Sequence, residues 1–228
     1  MSASRTLVVF GSGPGVGNHV AAEFAAHGFN HVILLARNEA RLQDDAAQVY
    51  QASSSVKVDM LRIDLSDLAS IPAVLKKIDE LSSDIEAILF NAARISGSQV
   101  LTTPIEELQE DFTVTNLALY AISQWGIPHL QARAKSNSSA KPSLLVPNSH
   151  LPWDPVPELL SLSLVKASQR NMVQSLSRAF TKDGVHIGLI TIEGVVATDK
   201  ELLNPLNIAR QTWKFFESGT GLEVNIKE

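Results

Sequence analysis

A short apolar run that leads into a glycine-rich turn, at residues 6–18, constrains the fold of this chain more than any other feature. The run T-L-V-V-F is followed directly by G-S-G-P-G-V-G-N, and an alanine-rich helical pattern continues from His19 to His27. In α/β proteins, a buried strand that passes through a glycine turn into a helix presents backbone N–H groups to a phosphate. The spacing is Gly-x-x-x-Gly-x-Gly, which differs slightly from the usual Gly-x-Gly-x-x-Gly. A plain tight strand–helix turn therefore stays an alternative.

The glycines of this turn have different expected roles. Gly11 permits the sharp turn, Gly15 lets the backbone approach a ligand, and Gly17 lets the new helix lie close against the strand. Ser12 and Val16 lie between these glycines and are predicted to contribute to the same site. The turn is therefore predicted to hold the phosphates of a ligand.

The size and composition of the chain are those of one globular domain. It has 228 residues, of which 45% are hydrophobic, and a formal net charge of −5, which allows a substantial core. No block of Lys and Arg stands out, so no nucleic-acid partner is expected. No apolar run approaches the roughly 20 residues that cross a bilayer, and the first strand begins too early for a preceding signal peptide. There is no cysteine, which excludes disulfides and thiolate chemistry. We predict a cytoplasmic protein with one domain over 1–228, no membrane segment and no metal site.

Apolar runs and helical patterns alternate along the whole chain. Strands are predicted at 6–10, 31–36, 56–63, 85–90, 144–146, 185–192 and 222–226. Helices are predicted at 19–27, at 39–51 after an Asn38 cap, from an Asp67 cap to 81, and at 105–134, 158–180 and 206–216. Continuous apolar runs fit strands that are buried on both faces. Strands alternating with helices imply right-handed crossovers, so the predicted fold is an α/β, doubly wound parallel sheet (Rossmann fold) in a single domain.

Polar residues follow the predicted strands at regular places. Asp64 ends the third strand, Asn91 begins an Asn-Ala-Ala sequence after the fourth, and Ser149 ends the fifth. Asn116 lies on the long fourth helix, and Lys166 lies on the helix that follows Ser149. Together with the glycine spacing, this ordered set resembles the short-chain dehydrogenase/reductase family, and the likeness covers nearly all of the chain.

The resemblance implies a nicotinamide dinucleotide site. Asp64 stands where the family has an Asp that touches the adenine ring, and Asn91-Ala92-Ala93 looks like its Asn-Ala-Gly motif with alanine in place of the glycine. Gly194 and Thr198 match its Pro-Gly…Thr segment, with Glu193 in place of the proline. The predicted cofactor-binding residues are Gly11, Ser12, Gly15, Val16, Gly17, Arg37, Asn38, Asp64, Leu65, Asn91, Ala92, Lys166, Gly194, Val196 and Thr198.

Arg37 bears on the choice of cofactor. An acidic residue at the end of the second strand would bind the ribose hydroxyls of NAD, but here the strand ends in Ala-Arg-Asn, with no carboxylate until Glu39. A guanidinium group at this point can pair with a 2′-phosphate in a forked geometry and stack on adenine. Similar family members with an arginine here prefer NADP(H), so NADP(H) is the predicted cofactor. A solvated arginine at the start of a helix is the alternative.

The resemblance also implies a catalytic set that is incomplete in this chain. Ser149 and Lys166 match the family's catalytic Ser and Lys, and Asn116 matches an Asn that helps to order a proton-relay water. The family has a Tyr four residues before the Lys and thirteen after the Ser, and both counts lead to Leu162. Leucine cannot move a proton. His150, which adjoins Ser149, is therefore a candidate acid.

Three outcomes follow from the missing phenol. Another group acts as the acid, with His150, Asp154 and Lys166 as candidates; or the substrate arrives as a cation, such as an iminium, and needs hydride only; or the chemistry is no longer redox. We predict an atypical NADP(H)-dependent reductase for a small organic carbonyl or imine substrate. The alternatives are a non-redox enzyme, such as a cyclase or isomerase, and a catalytically silent NADP(H)-binding protein. The family also implies a homo-oligomer, because relatives often form dimers or tetramers.

Overall fold

Seven parallel strands form the centre of the molecule, whose computed structural model describes residues 4–228. The strands are β1 Thr6–Phe10, β2 His31–Ala36, β3 Lys57–Arg62, β4 Ile85–Phe90, β5 Ser143–Ser149, β6 His186–Ile192 and β7 Glu223–Ile226. They lie in the order β3-β2-β1-β4-β5-β6-β7, and every neighbouring pair is parallel. The predicted α/β fold with a doubly wound parallel sheet is therefore confirmed.

Helices cover both faces of the sheet. They are α1 Val16–Ala26, α2 Glu39–Ala52, α3 Ile71–Leu81, α4 Ile105–Phe112, α5 Ala118–Ser136, α6 Leu160–Phe180 and α7 Pro205–Ser218. One hydrophobic core joins α1, α2 and α7 to the sheet, and a second core joins α3, α5 and α6 to its other face. Within residues 4–228, none of these helices combines the length and the apolar composition that a membrane crossing requires.

The strands are continuous apolar runs because side chains from each strand enter both cores. On β1, Leu7 and Val9 pack into the core beneath α1, whereas Val8 and Phe10 pack into the opposite core. All four side chains are at most 1% exposed. This burial on both faces is typical of parallel sheets and explains why the sequence pattern located β2 and β4 to the residue.

Two helix predictions differ from the structure by more than the position of their ends, and α1 begins at Val16, three residues before its predicted start. Asp67 does not cap α3: it lies in a turn in which its carbonyl oxygen accepts from the Ser70 amide at 3.1 Å, and α3 begins only at Ile71. Pro72 in the first turn fits this later start, because its missing N–H would have no helical partner there. The long helix predicted at 105–134 is interrupted by a π-helical turn at Thr113–Leu117 between α4 and α5. Apolar periodicity did not indicate that turn.

The order of the strands reverses between β1 and β4. β1 pairs with β2 on one side and with β4 on the other, so the chain crosses to the other half of the sheet after β3. In open α/β sheets, ligands bind outside the carboxyl ends of the strands at such a switch point. β5 also reaches this edge: its pairing with β4 stops at Leu145, and only β6 runs beside Pro147. A proline is tolerated there because the ladder with β4 has already ended.

Candidate functional site

A cleft of about 560 Å³ opens at the carboxyl ends of β1 to β4, beside the switch point. Eleven of the predicted cofactor-binding residues line it: Gly11, Ser12, Gly15, Val16, Arg37, Asp64, Leu65, Asn91, Ala92, Val196 and Thr198. Outside its lining lie Gly17, Asn38 and Gly194, together with Lys166, Ser149, His150 and Asn116. The structure therefore brings most of the dinucleotide candidates together and leaves the catalytic candidates beyond the cleft.

Backbone packs directly against backbone in the turn between β1 and α1. Gly11 has a φ of +87°, and a Cβ atom there would lie 2.7 Å from the amide nitrogen of Ala92. A Cβ atom on Gly17 would lie 2.7 Å from the carbonyl oxygen of Gly11. The same carbonyl accepts a 2.9 Å hydrogen bond from Nδ2 of Asn91. Asn91 therefore ties the turn to the end of β4, and only glycine fits at positions 11 and 17.

The outer side of the same turn faces open space. A Cβ atom on Gly13 or Gly15 would have no atom within 4 Å, and Gly15 is the N-cap of α1 without a side-chain hydrogen bond. Ser12 is engaged elsewhere, because its hydroxyl donates a 2.7 Å hydrogen bond to buried Asp45 on α2. The Asn18 amide donates to the Gly13 carbonyl oxygen at 3.2 Å, so the amides before it in α1, at Val16 and Gly17, are the ones that can bind an anion at the positive end of the helix.

Two arginines meet at the other end of the cleft. Arg37 is exposed and lines the cleft after β2, and Nε of Arg62 donates to the Arg37 carbonyl oxygen at 3.3 Å. Nearby, Oδ1 of Asp64 accepts hydrogen bonds from the hydroxyl of Ser66 at 2.7 Å and from its amide at 3.0 Å. These bonds, with a smaller contribution from both guanidinium groups, lower the pKa of Asp64. The ionised carboxylate at this end of the cleft thus lies within the electrostatic influence of two cations, of which Arg37 lines the cleft.

These features fit a nicotinamide dinucleotide. The glycine turn at the start of α1 suits a pyrophosphate, because Gly13 and Gly15 put no side chain between the backbone and the cleft. Arg37 follows β2, the strand next to β1, and therefore lies one strand away from that turn. In a sheet of this topology an adenosine ribose would lie there. The volume of about 560 Å³ is within the range of small-molecule sites in proteins.

Lys166 points into the protein interior. Its ammonium group donates to the carbonyl oxygen of Pro147 at 2.8 Å and to Oε1 of Gln169 at 3.0 Å. Asn148 joins them, because its Nδ2 donates to the Lys166 carbonyl oxygen at 3.1 Å and to Oε1 of Gln169 at 3.2 Å. Burial lowers the pKa of Lys166 to about 8. We refer to Asn148, Lys166 and Gln169 as the interior polar cluster.

Asn116 lies next to this cluster, in the π-helical turn. Its side chain is 3% exposed, and neither its Oδ1 nor its Nδ2 has a hydrogen-bond partner among the described residues. The preceding residue, Thr115, accepts a 3.3 Å hydrogen bond at its carbonyl oxygen from Nε2 of Gln169. Because buried amides are rarely left unpaired, the Asn116 amide marks a polar position that a bound group can complete.

Ser149 and His150 lie at the start of the loop between β5 and α6. The Ser149 hydroxyl accepts a 3.3 Å hydrogen bond from the Leu151 amide. Nδ1 of His150 is 3.7 Å from a carboxylate oxygen of Glu193, and the imidazole stacks on Trp153 with 5.6 Å between ring centroids. The imidazole is therefore held between a carboxylate from the end of β6 and an aromatic ring of its own loop.

Comparison with known proteins identifies the family. A family model described as short chain dehydrogenase matches residues 5–202. The chain belongs to the short-chain dehydrogenase family. It is 28% identical over 218 residues to a very-long-chain 3-oxoacyl-CoA reductase of Pyricularia oryzae, an alignment that covers 94% of this chain and 63% of the relative. The chain spans 51–63% of the length of the first three curated relatives that it matches.

Solved structures share the short-chain dehydrogenase fold. An alcohol dehydrogenase from Thermococcus sibiricus, complexed with 5-hydroxy-NADP, superposes with a TM-score of 0.84 and 20% identity, covering 98% of this chain and 96% of that one. An NADH-dependent reductase, A1-R′, complexed with NAD, superposes with a TM-score of 0.81 and 19% identity, covering 98% and 95%. Members of this fold thus bind NAD or NADP, and the likeness does not decide between the two.

The position at which short-chain dehydrogenases were expected to carry a tyrosine is apolar and buried in this member. Leu162 lies on α6, four residues before Lys166, and is 8% exposed. The tyrosines of the chain lie elsewhere: Tyr50 on α2 and Tyr120 on α5 are each about half exposed. The side chain at position 162 therefore contributes packing and no polar group.

Sequence reasoning missed several residues of the site of this short-chain dehydrogenase. Arg62 was passed over, although β2 and β3 are neighbours and pair Ala36 with Arg62 in register. Gln169 was missed because an isolated glutamine on a helix carries no signal of burial, yet its side chain is fully buried. Glu193 was noted only as a replacement for a proline, since its approach to His150 depends on the ends of two strands.

Proposed function

We propose that this short-chain dehydrogenase is an atypical NADP(H)-dependent reductase that acts on a small organic carbonyl or imine. The observation that carries the cofactor choice is the position of two guanidinium groups near Asp64: Arg37 lines the cleft after β2, and Arg62 at the end of β3 donates to the Arg37 carbonyl oxygen. Two guanidinium groups favour a ribose that bears a 2′-phosphate over one that bears two hydroxyls. A carbonyl substrate is supported by the Pyricularia oryzae relative, which is named a 3-oxoacyl-CoA reductase.

Each part of the cleft has one role in this proposal. The amides around Gly13 and Gly15 bind the pyrophosphate, Arg37 and Arg62 bind the 2′-phosphate, and Asp64 accepts a hydrogen bond from the adenine. Asn91 keeps the glycine turn in the binding conformation through its bond to the Gly11 carbonyl. Bound NADPH would supply a hydride to the substrate.

In this proposal His150 handles the proton, although it lies outside the lining of the cleft. It adjoins Ser149, it is half exposed, and the carboxylate of Glu193 stands 3.7 Å from its ring. A carboxylate beside an imidazole can fix the orientation of the ring. Lys166 is less suited, because its ammonium group already donates to Pro147 and Gln169. The proposal places the protein in the cytoplasm, with a small-molecule substrate and a homo-oligomeric assembly.

The affinity for NADPH tests this proposal. We expect Arg37→Ala to weaken NADPH binding by at least tenfold and to leave NADH binding nearly unchanged, because the variant removes a contact that only the 2′-phosphate makes. Arg41→Ala is the matched control, since Arg41 is an exposed arginine one turn further along the same segment. Calorimetric titration with both nucleotides measures the effect. Equal losses for NADPH and NADH, or no loss, would contradict the assignment of Arg37.

A catalytically silent NADP(H)-binding protein is the second candidate. It is favoured by two observations: Leu162 has no proton to donate at the position expected for a tyrosine, and the ammonium group of Lys166 is hydrogen-bonded inside the protein. This candidate predicts NADPH binding with no decrease in NADPH absorbance when ketones or cyclic imines are added. Turnover of either substrate class would exclude it.

A further inference from the structure

Exposed apolar side chains concentrate beside the cofactor cleft. Among the described residues, thirteen large apolar side chains are exposed, and seven of them lie on the segments 91–104, 150–159 and 193–204, which follow β4, β5 and β6. Six of these seven, all except Leu202, are called the apolar rim here: Ile95, Val100, Leu101, Trp153, Val156 and Val195. A concentration of this kind on one edge of a protein marks a binding surface.

Contacts between the segments hold the apolar rim together. Ser98 forms an isolated parallel bridge with Leu159, and its amide donates to the Glu158 carbonyl oxygen at 2.8 Å. His150 and Glu193 approach within 3.7 Å and connect the second segment to the third. The rim is also continuous with the cofactor cleft, because Ile95 lines the cleft itself. The three segments therefore form one surface next to the proposed reaction site.

Leu101 is presented to solvent by a tight turn. The Gln99 carbonyl oxygen accepts from the amides of Thr102 at 3.3 Å and Thr103 at 3.1 Å, which closes the turn around Leu101. Leu101 has a φ of +69°, a conformation that disfavours side chains with a Cβ, and it is 96% exposed. An exposed leucine side chain in this conformation buries almost no apolar area, so packing within the fold does not account for it.

The charges on these segments are mostly negative. The three segments carry two basic side chains, Arg94 and Lys200, and five carboxylates, at Asp154, Glu158, Glu193, Asp199 and Glu201. Arg94 is already ion-paired with Glu110 and Asp111. Arg170 of α6, whose guanidinium carbon lies 4.2 Å from the centre of the Trp153 ring, is ion-paired with Glu223 at 3.0 Å. An anionic lipid surface or a ligand rich in phosphates would therefore be repelled rather than attracted. The surface is suited to a neutral hydrocarbon.

We propose that the apolar rim binds the hydrocarbon body of the substrate, and that this substrate is a neutral, extended apolar carbonyl compound rather than its coenzyme A ester. This inference deepens the proposed reductase function and rests on it. Only the carbonyl end would reach the cofactor cleft beside Ile95, while the chain lies along Leu101 and Val195. The relative named for 3-oxoacyl-CoA would then differ from this protein in how the body of its substrate is held.

Chain-length dependence tests the rim. We would titrate the full chain by calorimetry, with and without NADPH, using 2-alkanones of four to ten carbons. The dissociation constant should fall about two- to fourfold per methylene up to the length of the rim. Leu101→Ser and Ile95→Ser should flatten this dependence, whereas Tyr50→Ser, at an exposed apolar position on α2, should leave it unchanged. Both substituted side chains are exposed, so we expect the variants to stay folded, and the use of two separate rim variants controls for loss of folding.

A matched pair of thioesters tests the charge argument. The 3-oxooctanoyl esters of N-acetylcysteamine and of coenzyme A share the same chain, so the rim proposal expects the coenzyme A ester to bind no more tightly. Tenfold tighter binding of the coenzyme A ester, or a flat chain-length series both with and without NADPH, would overturn it. So would a dimer that Leu101→Ser converts to monomer, because the rim would then be covered by a second copy. If the protein binds NADPH but the affinity for 2-alkanones does not depend on chain length, the rim proposal is wrong and the reductase proposal is unaffected.

Discussion

Lys166 is the single residue whose environment differs most from its expected one. A lysine in a cofactor site would face the cleft, whereas this ammonium group donates to a backbone carbonyl and to Gln169 inside the protein. Among residues 4–228, its hydrogen-bond partners are the Pro147 carbonyl oxygen and Oε1 of Gln169, neither of which is a carboxylate. Burial without a counter-charge favours the neutral amine, which is why the pKa falls to about 8.

This shifted pKa predicts a specific dependence of stability on pH. In the unfolded chain the lysine keeps its proton up to an ordinary pKa of 10.5, whereas the folded protein releases it above about 8. The unfolded state therefore binds more protons between these values, and raising the pH through this window stabilises the folded state. We expect the free energy of unfolding of the wild type, relative to Lys166→Met, to rise by about 3 kcal/mol across the window.

Urea denaturation at about pH 7, 9 and 10.5 measures this difference. Lys182→Met, which removes an exposed ammonium group, provides the baseline. A difference that stays flat with pH would mean that the Lys166 amine is solvated, and the inward geometry would then be wrong.

At the scale of elements, the sequence was most informative where a residue's environment is set by its own segment. β2 and β4 were predicted to the residue, because a continuous apolar run such as 31–36 is buried only as a central strand with helices on both faces. The glycine turn between β1 and α1 was also predicted, because the spacing of its glycines reflects the close contact of these two adjacent elements. The π-helical turn at Thr113–Leu117 and the direction of Lys166 were not predicted, because both depend on partners distant in sequence, including Gln169.

The packing of α1 against the glycine turn gives a prediction at this scale. A methyl group on Gly17 would lie 2.7 Å from the Gly11 carbonyl oxygen and 3.1 Å from Nδ2 of Asn91, so Gly17→Ala must displace α1 from β1. We expect a loss of about 1–3 kcal/mol in the free energy of unfolding, typical of an overpacked contact. Gly13→Ala is the control, because a methyl group there meets no atom within 4 Å.

Urea midpoints of the two variants should therefore separate, with Gly13→Ala within about 1 kcal/mol of the wild type. If both variants were equally stable, the close approach of α1 to the turn would not exist in solution.

At the scale of the whole molecule, the two ends of the strands differ: one end carries the candidate binding site and the other a buried group of ion pairs. The carboxyl edge carries the cleft and the apolar rim, whereas the amino edge carries a buried ion network around Glu86. Arg5 pairs with Glu86 at 2.9 Å, Arg133 from α5 approaches at 3.3 Å, and the Lys141 amide before β5 donates at 3.2 Å. This single carboxylate thus joins β1, β4, α5 and the entry to β5.

The network predicts a stability change that is separable from ligand binding. Burial alone would raise the pKa of Glu86, but the bonds and charge of Arg5, with further help from Lys141 and Arg133, hold that pKa below its ordinary value. The carboxylate therefore stabilises the fold above pH 4.5, and this contribution is lost as the pH falls through the lowered pKa. Glu86→Gln should cost about 3 kcal/mol at neutral pH, because it leaves two guanidinium groups without their shared partner. The deficit should shrink in acid as the wild type loses the same charge.

Because Glu86 stands at the opposite edge from the cleft, NADPH affinity should be unchanged at temperatures where Glu86→Gln stays folded. Urea denaturation from about pH 7 down to the lowest pH at which the wild type stays folded, with exposed Glu80→Gln as the control, measures the stability, and calorimetry measures the affinity. A deficit of the same size over this whole range would show that packing, rather than charge, accounts for the effect. An altered NADPH affinity in the folded variant would show that the amino edge is coupled to the binding site, and the two edges could then no longer be treated as independent.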